Sequence, residues 1–230
     1  MLGTIVNSVA IILGCLIGLL VKGKASQKNS DTVMNGLALC VLYIGISGSL
    51  KGEDTLVTII CIAIGALIGE LIDIDKWLNK LGEFLESKFN KEQKEGSVSI
   101  SQGFVSASLL FCIGAMGIVG SLQSGLTGNH ETLFAKSILD GIISIIFTAT
   151  LGIGVMFSSV SVFLYQGIIT IGASALSGVL STQVINSMTA VGSLLIVGLG
   201  LNMLKATNIK IANLLPAVFL PILAGILGII

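Results

Sequence analysis

Charged side chains are scarce in this sequence, and arginine is absent. Only 10% of the 230 residues are charged, 53% are apolar, and the mean hydropathy is +1.02. Soluble domains carry about 25% charged residues, so this chain cannot cover a water-exposed globule with polar groups. All twelve basic residues are lysine, which removes the planar guanidinium suited to bidentate phosphate recognition. The composition thus excludes an ordinary soluble domain and argues against a nucleic-acid partner.

Residues for metal, redox and hydrolytic chemistry are also few. The four cysteines stand singly in apolar segments without CxxC spacing, which is typical of small apolar side chains rather than of a disulfide framework or metal site. The one histidine, His130, lies outside any HExxH motif, and neither a nucleophile elbow nor a Walker loop is present. The sequence therefore predicts no enzyme, no metal and no cofactor.

Long apolar runs, by contrast, are abundant. A hydrocarbon core of roughly 30 Å takes about 20 residues of helix to cross, and the runs predict an all-α, polytopic membrane bundle of about eight transmembrane helices. The first run lacks a basic n-region and an A-x-A-like cleavage site, so we expect a mature helix rather than a signal peptide. The runs fall near 2–21, 33–50, 55–75, 101–122, 133–157, 160–181, 186–204 and 211–230.

The lysines predict the orientation of the spans, because cytoplasmic loops near span ends carry an excess of basic residues. With the N-terminus outside, only Lys51 and Lys136 fall on the external side. Both termini are then expected to face outward, in a multi-pass protein. The cytoplasmic lysines are Lys22, Lys24, Lys28, Lys76, Lys80, Lys88, Lys91, Lys94, Lys205 and Lys210.

One longer connection, near 76–100, divides the chain into a first membrane half, 1–75, and a second membrane part, 101–230. Apolar residues recur along it at helical spacing, with lysines and glutamates on the other faces. This pattern predicts an amphipathic helix at the cytoplasmic surface, in the role of anchor and connector. The apolar positions are Trp77, Leu78, Leu81, Phe84, Leu85 and Phe89.

Several apolar segments resemble one another. VLYIGISGSLKG at 41–52 is similar to LLFCIGAMGIVGSLQSG at 109–125, and IAIGALIG before Glu70 is similar to ILAGILG near the C-terminus. An inverted-topology repeat of spans 1–3 and 6–8, as in many secondary transporters, is one interpretation; shared glycine-rich composition is the other. Gly14 and Gly18 illustrate a four-residue spacing that favours close helix packing or a homo-oligomer face.

Two charges stand inside the predicted fifth span. A charge in a membrane helix costs roughly 2.5 to 3.5 kcal/mol, so it usually faces a bundle interior and is paired. Lys136 and Asp140 are four residues apart and share a helix face, which predicts an ion pair. Asp140 lies about 10 Å below the outer edge at the helical rise, while Lys136 can extend outward. Ser144 and Thr148 continue the row, so a hydrated path and a purely structural pair both remain open.

Other polar residues within the spans complete the candidate solute or ion pathway. Glu70 suits an interfacial acid at least as well as a residue that handles protons or cations. The last span also contains Pro216 and Pro221, which free backbone carbonyls as in broken binding-site helices, although a simple kink explains either one. The remaining candidates are Asn7, Gln166, Asn202 and Asn213.

The motifs GTIVN, GALIGE, AKSILDG and GLNML followed by IANLLPA resemble a bacterial inner-membrane family called domain of unknown function 554. The resemblance covers nearly the whole chain and implies a bacterial cytoplasmic-membrane protein. It brings no assigned substrate or reaction.

These features favour a secondary transporter or channel-like protein for a small solute or ion, embedded in membrane lipid, with Lys136 and Asp140 as a gate or coupling site. The alternative is a non-transporting scaffold or regulatory membrane protein. A dry core that seals the ion pair between helices would favour that alternative.

Overall fold

The described part of the protein is a bundle of helices, as the apolar runs predict. The computed structural model describes residues 1–21, 27–77, 79–80, 99–113, 115–176 and 178–230, and these contain no strand. We number the helices α1 Leu2–Val21, α2 Gln27–Ser49, α3 Thr55–Ile72, α4 Ile100–Cys112, α5 Ala115–Leu126, α6 Glu131–Leu151, α7 Gly154–Ile171, α8 Ala173–Leu176, α9 Thr182–Met203 and α10 Leu220–Ile226, with a 3₁₀ helix at Ile211–Phe219 before α10.

Five of these helices, α1, α3, α6, α7 and α9, are long and apolar enough to cross a membrane. A sixth span results if the bent pair α4 and α5 counts as one. Two shorter apolar helices, Met34–Ser49 within α2 and Ile211–Ile226, stand beside them. The predicted membrane helix bundle is therefore confirmed.

Three predicted spans differ from the helices in the structure. Helix α6 ends at Leu151 rather than at 157, because Gly152 adopts a φ of 83° that favours glycine and closes the helix. The next predicted span, 160–181, begins too late, since α7 already starts at Gly154. The predicted span 101–122 is made of two helices bent by 61°, because Ile113 has extended backbone and ends α4.

Close contacts at small residues hold α1 against α6. A side chain at Gly14 would collide with the Gly141 carbonyl and Ser144, and one at Gly18 with the Ile145 carbonyl. Residue numbers rise together along the contact, so the two helices are parallel. The glycine spacing thus serves close helix packing within the chain, as one of its two interpretations predicts.

Helices α2 and α9 pack antiparallel through a reciprocal contact. Gly45 of α2 lies against Val197 of α9, while Gly200 of α9 lies against Leu42 of α2. Helix α3 also packs antiparallel, against the 3₁₀ helix. Helices α4 and α7, by contrast, pack parallel to each other.

These contacts sort the helices into two groups. The first group comprises α1, α4, α5, α6 and α7, and the second comprises α2, α3, α9, the 3₁₀ helix and α10. Close backbone contacts are extensive within each group and sparse between them. We call the surface where the groups meet the seam.

The amphipathic helix predicted near 76–98 lies mainly on residues outside the described ranges. At its start, Trp77 is exposed, and the Lys80 ammonium lies 5.6 Å from the centre of the Trp77 ring. This is a cation–π distance.

The close approach of α1 to α6 can be tested with an alanine at Gly14. We expect Gly14→Ala to lower the free energy of unfolding by about 1–3 kcal/mol, since an added methyl meets backbone that cannot move aside cheaply. Gly36→Ala is the matched control, because nothing lies within 4 Å of a side chain at that position. Thermal unfolding in detergent measures both, and equal stability of the two variants would contradict the packing.

Candidate functional site

Lys136 and Asp140 form a buried ion pair on α6. The lysine Nζ lies 2.8 Å from Oδ2 and donates to Oδ1 at 3.0 Å. Only 7% of Lys136 and 4% of Asp140 are exposed. The predicted pair is thus present, and its neighbours must compensate both charges for the loss of water.

Asn7 of α1 supplies further compensation. Its Nδ2 donates to Oδ2 of Asp140 at 3.0 Å, and its side chain is fully buried. The parallel packing of α1 on α6 brings this amide to the carboxylate. A hydrogen bond to a charged acceptor is stronger than a neutral one, so Asp140 is fixed from two helices.

The ion pair also lines a pocket of about 330 Å³ on the seam, which we call the pair pocket. Helices α4, α5 and α6 form one side, and α2 and α9 form the other. Lys51 is the third charged residue in its wall, so the lining contains two lysines and one aspartate. The remaining polar lining residues are Tyr43, Ser47, Thr189 and Ser193.

Ser144 and Thr148, predicted to continue a polar path along α6, do not line this pocket. Ser144 Oγ donates to the carbonyls of Ile11 at 3.2 Å and Gly141 at 2.8 Å. Thr148 is fully buried near Gly18. Both residues therefore belong to the contact between α6 and α1.

Gln166 of α7 is a buried amide with unmet hydrogen-bonding capacity. Its side chain is fully buried, and neither Nε2 nor Oε1 has a partner within the described residues. One helical turn away, the hydroxyls of Thr4 and Thr170 lie 3.5 Å apart. An unsatisfied buried amide is costly, which marks this interior between α1 and α7 as polar.

Glu70 and Asn213 meet at the other end of the bundle, away from the ion pair. Glu70 Oε1 accepts from Lys210 Nζ at 2.9 Å, and Oε2 accepts from Asn213 Nδ2 at 2.6 Å. Asn213 Oδ1 in turn accepts from the backbone N–H of Asp75 at 2.7 Å. The bond to Glu70 raises the pKa of Lys210. This cluster ties α3 to the 3₁₀ helix.

Asn202 organises the turn after α9. Its Oδ1 accepts from the Thr207 hydroxyl at 2.7 Å and from the Ile209 N–H at 2.9 Å. Its Nδ2 donates to the Ile209 carbonyl at 2.8 Å. These hydrogen bonds stabilise the turn after α9, so Asn202 has a structural role.

Two further pockets lie along the seam, nearer to the start of α4 than the pair pocket. A mainly apolar middle pocket of about 330 Å³ shares Ile113 with the pair pocket. A polar end pocket of about 300 Å³ shares Val105 with the middle pocket. Asp75, Asn79 and Asn202 line this last pocket. The three pockets thus follow α4 from one end of the bundle toward the other.

Sequence reasoning missed Thr189 and Ser193 as pocket residues. They stand four residues apart on α9, and both line the pair pocket. That spacing places two hydroxyls on one helix face, and this pattern in the sequence could have identified them as pocket residues.

Apolar helices, a buried ion pair and pockets along one seam define a polytopic helical membrane protein. The comparison of the sequence with known proteins agrees with this class. The chain belongs to the family described as protein of unknown function (DUF554), whose model matches residues 2–226. This confirms the family resemblance found in the motifs.

Two relatives match the chain along nearly its whole length. The uncharacterised membrane protein YdfK of Bacillus subtilis is 32% identical over 225 residues, which is 96% of this chain and 94% of that protein. The uncharacterised protein YqgA of Escherichia coli is 28% identical over 220 residues, covering 95% and 94%. No solved structure matches the chain.

The energetic role of the ion pair can be tested by removing one partner. We expect Lys136→Met to lower the free energy of unfolding by about 3–5 kcal/mol, because it leaves Asp140 charged and unpaired. The double variant Lys136→Met/Asp140→Leu should recover most of this loss. Thermal unfolding of the purified protein is the measurement.

Lys210→Met is the matched control for that test. It breaks the ion pair between Lys210 and Glu70, and both of these side chains are more than half exposed. Exposed ion pairs contribute at most about 1 kcal/mol to the free energy of unfolding. A loss as large as that of Lys136→Met would contradict the burial of the Lys136 pair.

Proposed function

We propose that this protein is a secondary transporter or channel-like protein that carries a small solute or ion across the bacterial cytoplasmic membrane. The observation that carries the proposal is the position of the ion pair, which is buried and also contributes to the lining of a pocket. Charged residues at membrane depth commonly mark solute or ion pathways. Lys136 and Asp140 are the one buried ion pair among the described residues. A scaffold protein would not need a pocket beside such a pair.

The membrane topology follows from how the helices pair. We propose eight crossings, made by the five long spans, the bent pair α4 and α5, α2, and the segment Ile211–Ile226. The parallel and antiparallel contacts are consistent with this alternation. Lys205 and Lys210 then share the cytoplasmic end with Asp75, while Lys51 is external, in accord with the usual excess of lysine inside. Both termini face outward.

An inverted repeat of spans 1–3 and 6–8 is part of the proposal. Its counterparts contact each other: α1 with α7, α2 with α9, and α3 with the 3₁₀ helix. Each pair is antiparallel, and the Gly45 and Gly200 contacts are equivalent under exchange of α2 and α9. A two-fold axis in the membrane plane relates such repeats in many secondary transporters.

The three pockets suggest the route of the solute. They lie in sequence on the seam between the two helix groups, and each neighbouring pair of pockets shares one lining residue, Ile113 or Val105. The mainly apolar middle pocket separates two polar ones. We propose that relative movement of the groups opens the pair pocket and the end pocket in turn, which is the basis of alternating access.

The transport role of the ion pair can be tested with Asp140→Asn. We expect this variant to abolish uptake per molecule of inserted protein, because the neutral amide cannot balance Lys136. Its stability should fall as well, since a buried charge loses its partner, so uptake is normalised to the amount of inserted protein. Tracer uptake by cells that overproduce the protein, screened first over candidate solutes against a deletion strain, is the measurement.

Glu131→Gln is the matched control for the transport test. It makes the same carboxylate-to-amide change at the exposed start of the same helix, and it should leave uptake intact. Full uptake by Asp140→Asn would remove this residue from the mechanism.

The proposed topology predicts opposite labelling of two lysine positions. In a variant whose four cysteines are replaced by alanine, Lys51→Cys should react with a membrane-impermeant maleimide in intact cells. Lys210→Cys should react only after the membrane is opened, because it lies at the cytoplasmic end. Reversed labelling would show that the N-terminus faces inward.

A further inference from the structure

The walls of the pair pocket carry an excess of positive charge. Its charged lining residues are Lys51, Lys136 and Asp140, and the aspartate is already bonded to Lys136 and Asn7. A cation entering here would meet two ammonium groups and no free carboxylate. A single negative charge would neutralise the excess, which favours a monoanion.

Lys136 has the geometry to bind such an anion. An ammonium group carries three N–H donors, and the acceptors recorded for Lys136 are the two oxygens of one carboxylate, Oδ1 and Oδ2 of Asp140. Its side chain also lines the pocket. Binding requires Nζ to direct its third N–H to a solute carboxylate beside Asp140.

The rest of the pocket wall restricts the body of the solute. Apolar residues from four helices make up much of the wall: Leu110, Phe111, Met116, Leu139, Ile143 and Ile196. Polar groups of a solute that lie against these side chains would be unpaired, at a cost. A short aliphatic chain suits them, and the hydroxyls of Thr189 and Ser193 stand on the α9 side.

We propose that the pair pocket binds small aliphatic monocarboxylates, with the carboxylate on Lys136 and with Lys51 attracting the anion at the end of α2. This inference rests on the proposed transport function and names its solute class. Lys51 is exposed, so it acts by long-range attraction. Lys136 makes the direct contact.

Binding to the purified, full-length protein in detergent tests the inference without transport. Sodium 3-methylbutanoate should raise the midpoint of thermal unfolding in a saturable manner. The neutral isostere 3-methylbutanamide and sodium chloride at equal ionic strength should not. Absence of a shift with 3-methylbutanoate, or an equal shift with the amide or with chloride, would overturn the assignment of a carboxylate site.

Variants then locate the site. Lys136→Gln/Asp140→Asn removes both charges together, so no unpaired charge is left to unfold the protein, and it should weaken 3-methylbutanoate binding about tenfold or more, as expected for loss of a charge-assisted hydrogen bond. Lys51→Gln should weaken it less, and mainly at low salt. Lys210→Gln, at the other end, should have no effect. Unchanged binding by the double variant would overturn the proposed position.

The outcomes also separate this inference from the transport proposal. Saturable 3-methylbutanoate binding without uptake into proteoliposomes would overturn transport and support the binding site. Uptake of another solute that depends on Asp140, without carboxylate binding, would support transport and overturn the inferred solute class.

Discussion

The carboxylate of Asp140 is the constraint on which much of this structure depends. Buried among apolar helices, it needs partners close at hand, and it takes them from Lys136 on its own helix and Asn7 on α1. The amide reaches it because small residues let the backbones of α1 and α6 approach each other. Helix packing and electrostatics are therefore coupled at this contact.

The polar residues divide the bundle by function. Ser144 and Asn202 hold backbone within or between elements, and Glu70 with Asn213 fastens α3 to the 3₁₀ helix. The ion pair differs from these because it both joins helices and faces a pocket. Under the proposed function, this dual position is where solute binding would affect helix contacts.

Much of this could be predicted from the sequence, where local rules apply. Apolar length predicts the helices, and the four-residue spacing predicts the pair of Lys136 with Asp140. What failed depends on the backbone or on distant contacts. The end of α6 is set by the positive φ of Gly152, the bend after α4 by extended backbone at Ile113, and the partnership of Asn7 with Asp140 by residues 133 positions apart. No local periodicity encodes these features.

The seam between the two helix groups has a mechanical consequence. Each group is closely interlocked by small-residue contacts, so it resists internal deformation, whereas few close backbone contacts cross from one group to the other. Moving the groups apart as units would therefore break fewer close backbone contacts than deforming either group. Such a movement would also widen the cavity beside Lys136 and Asp140, which lies on the seam.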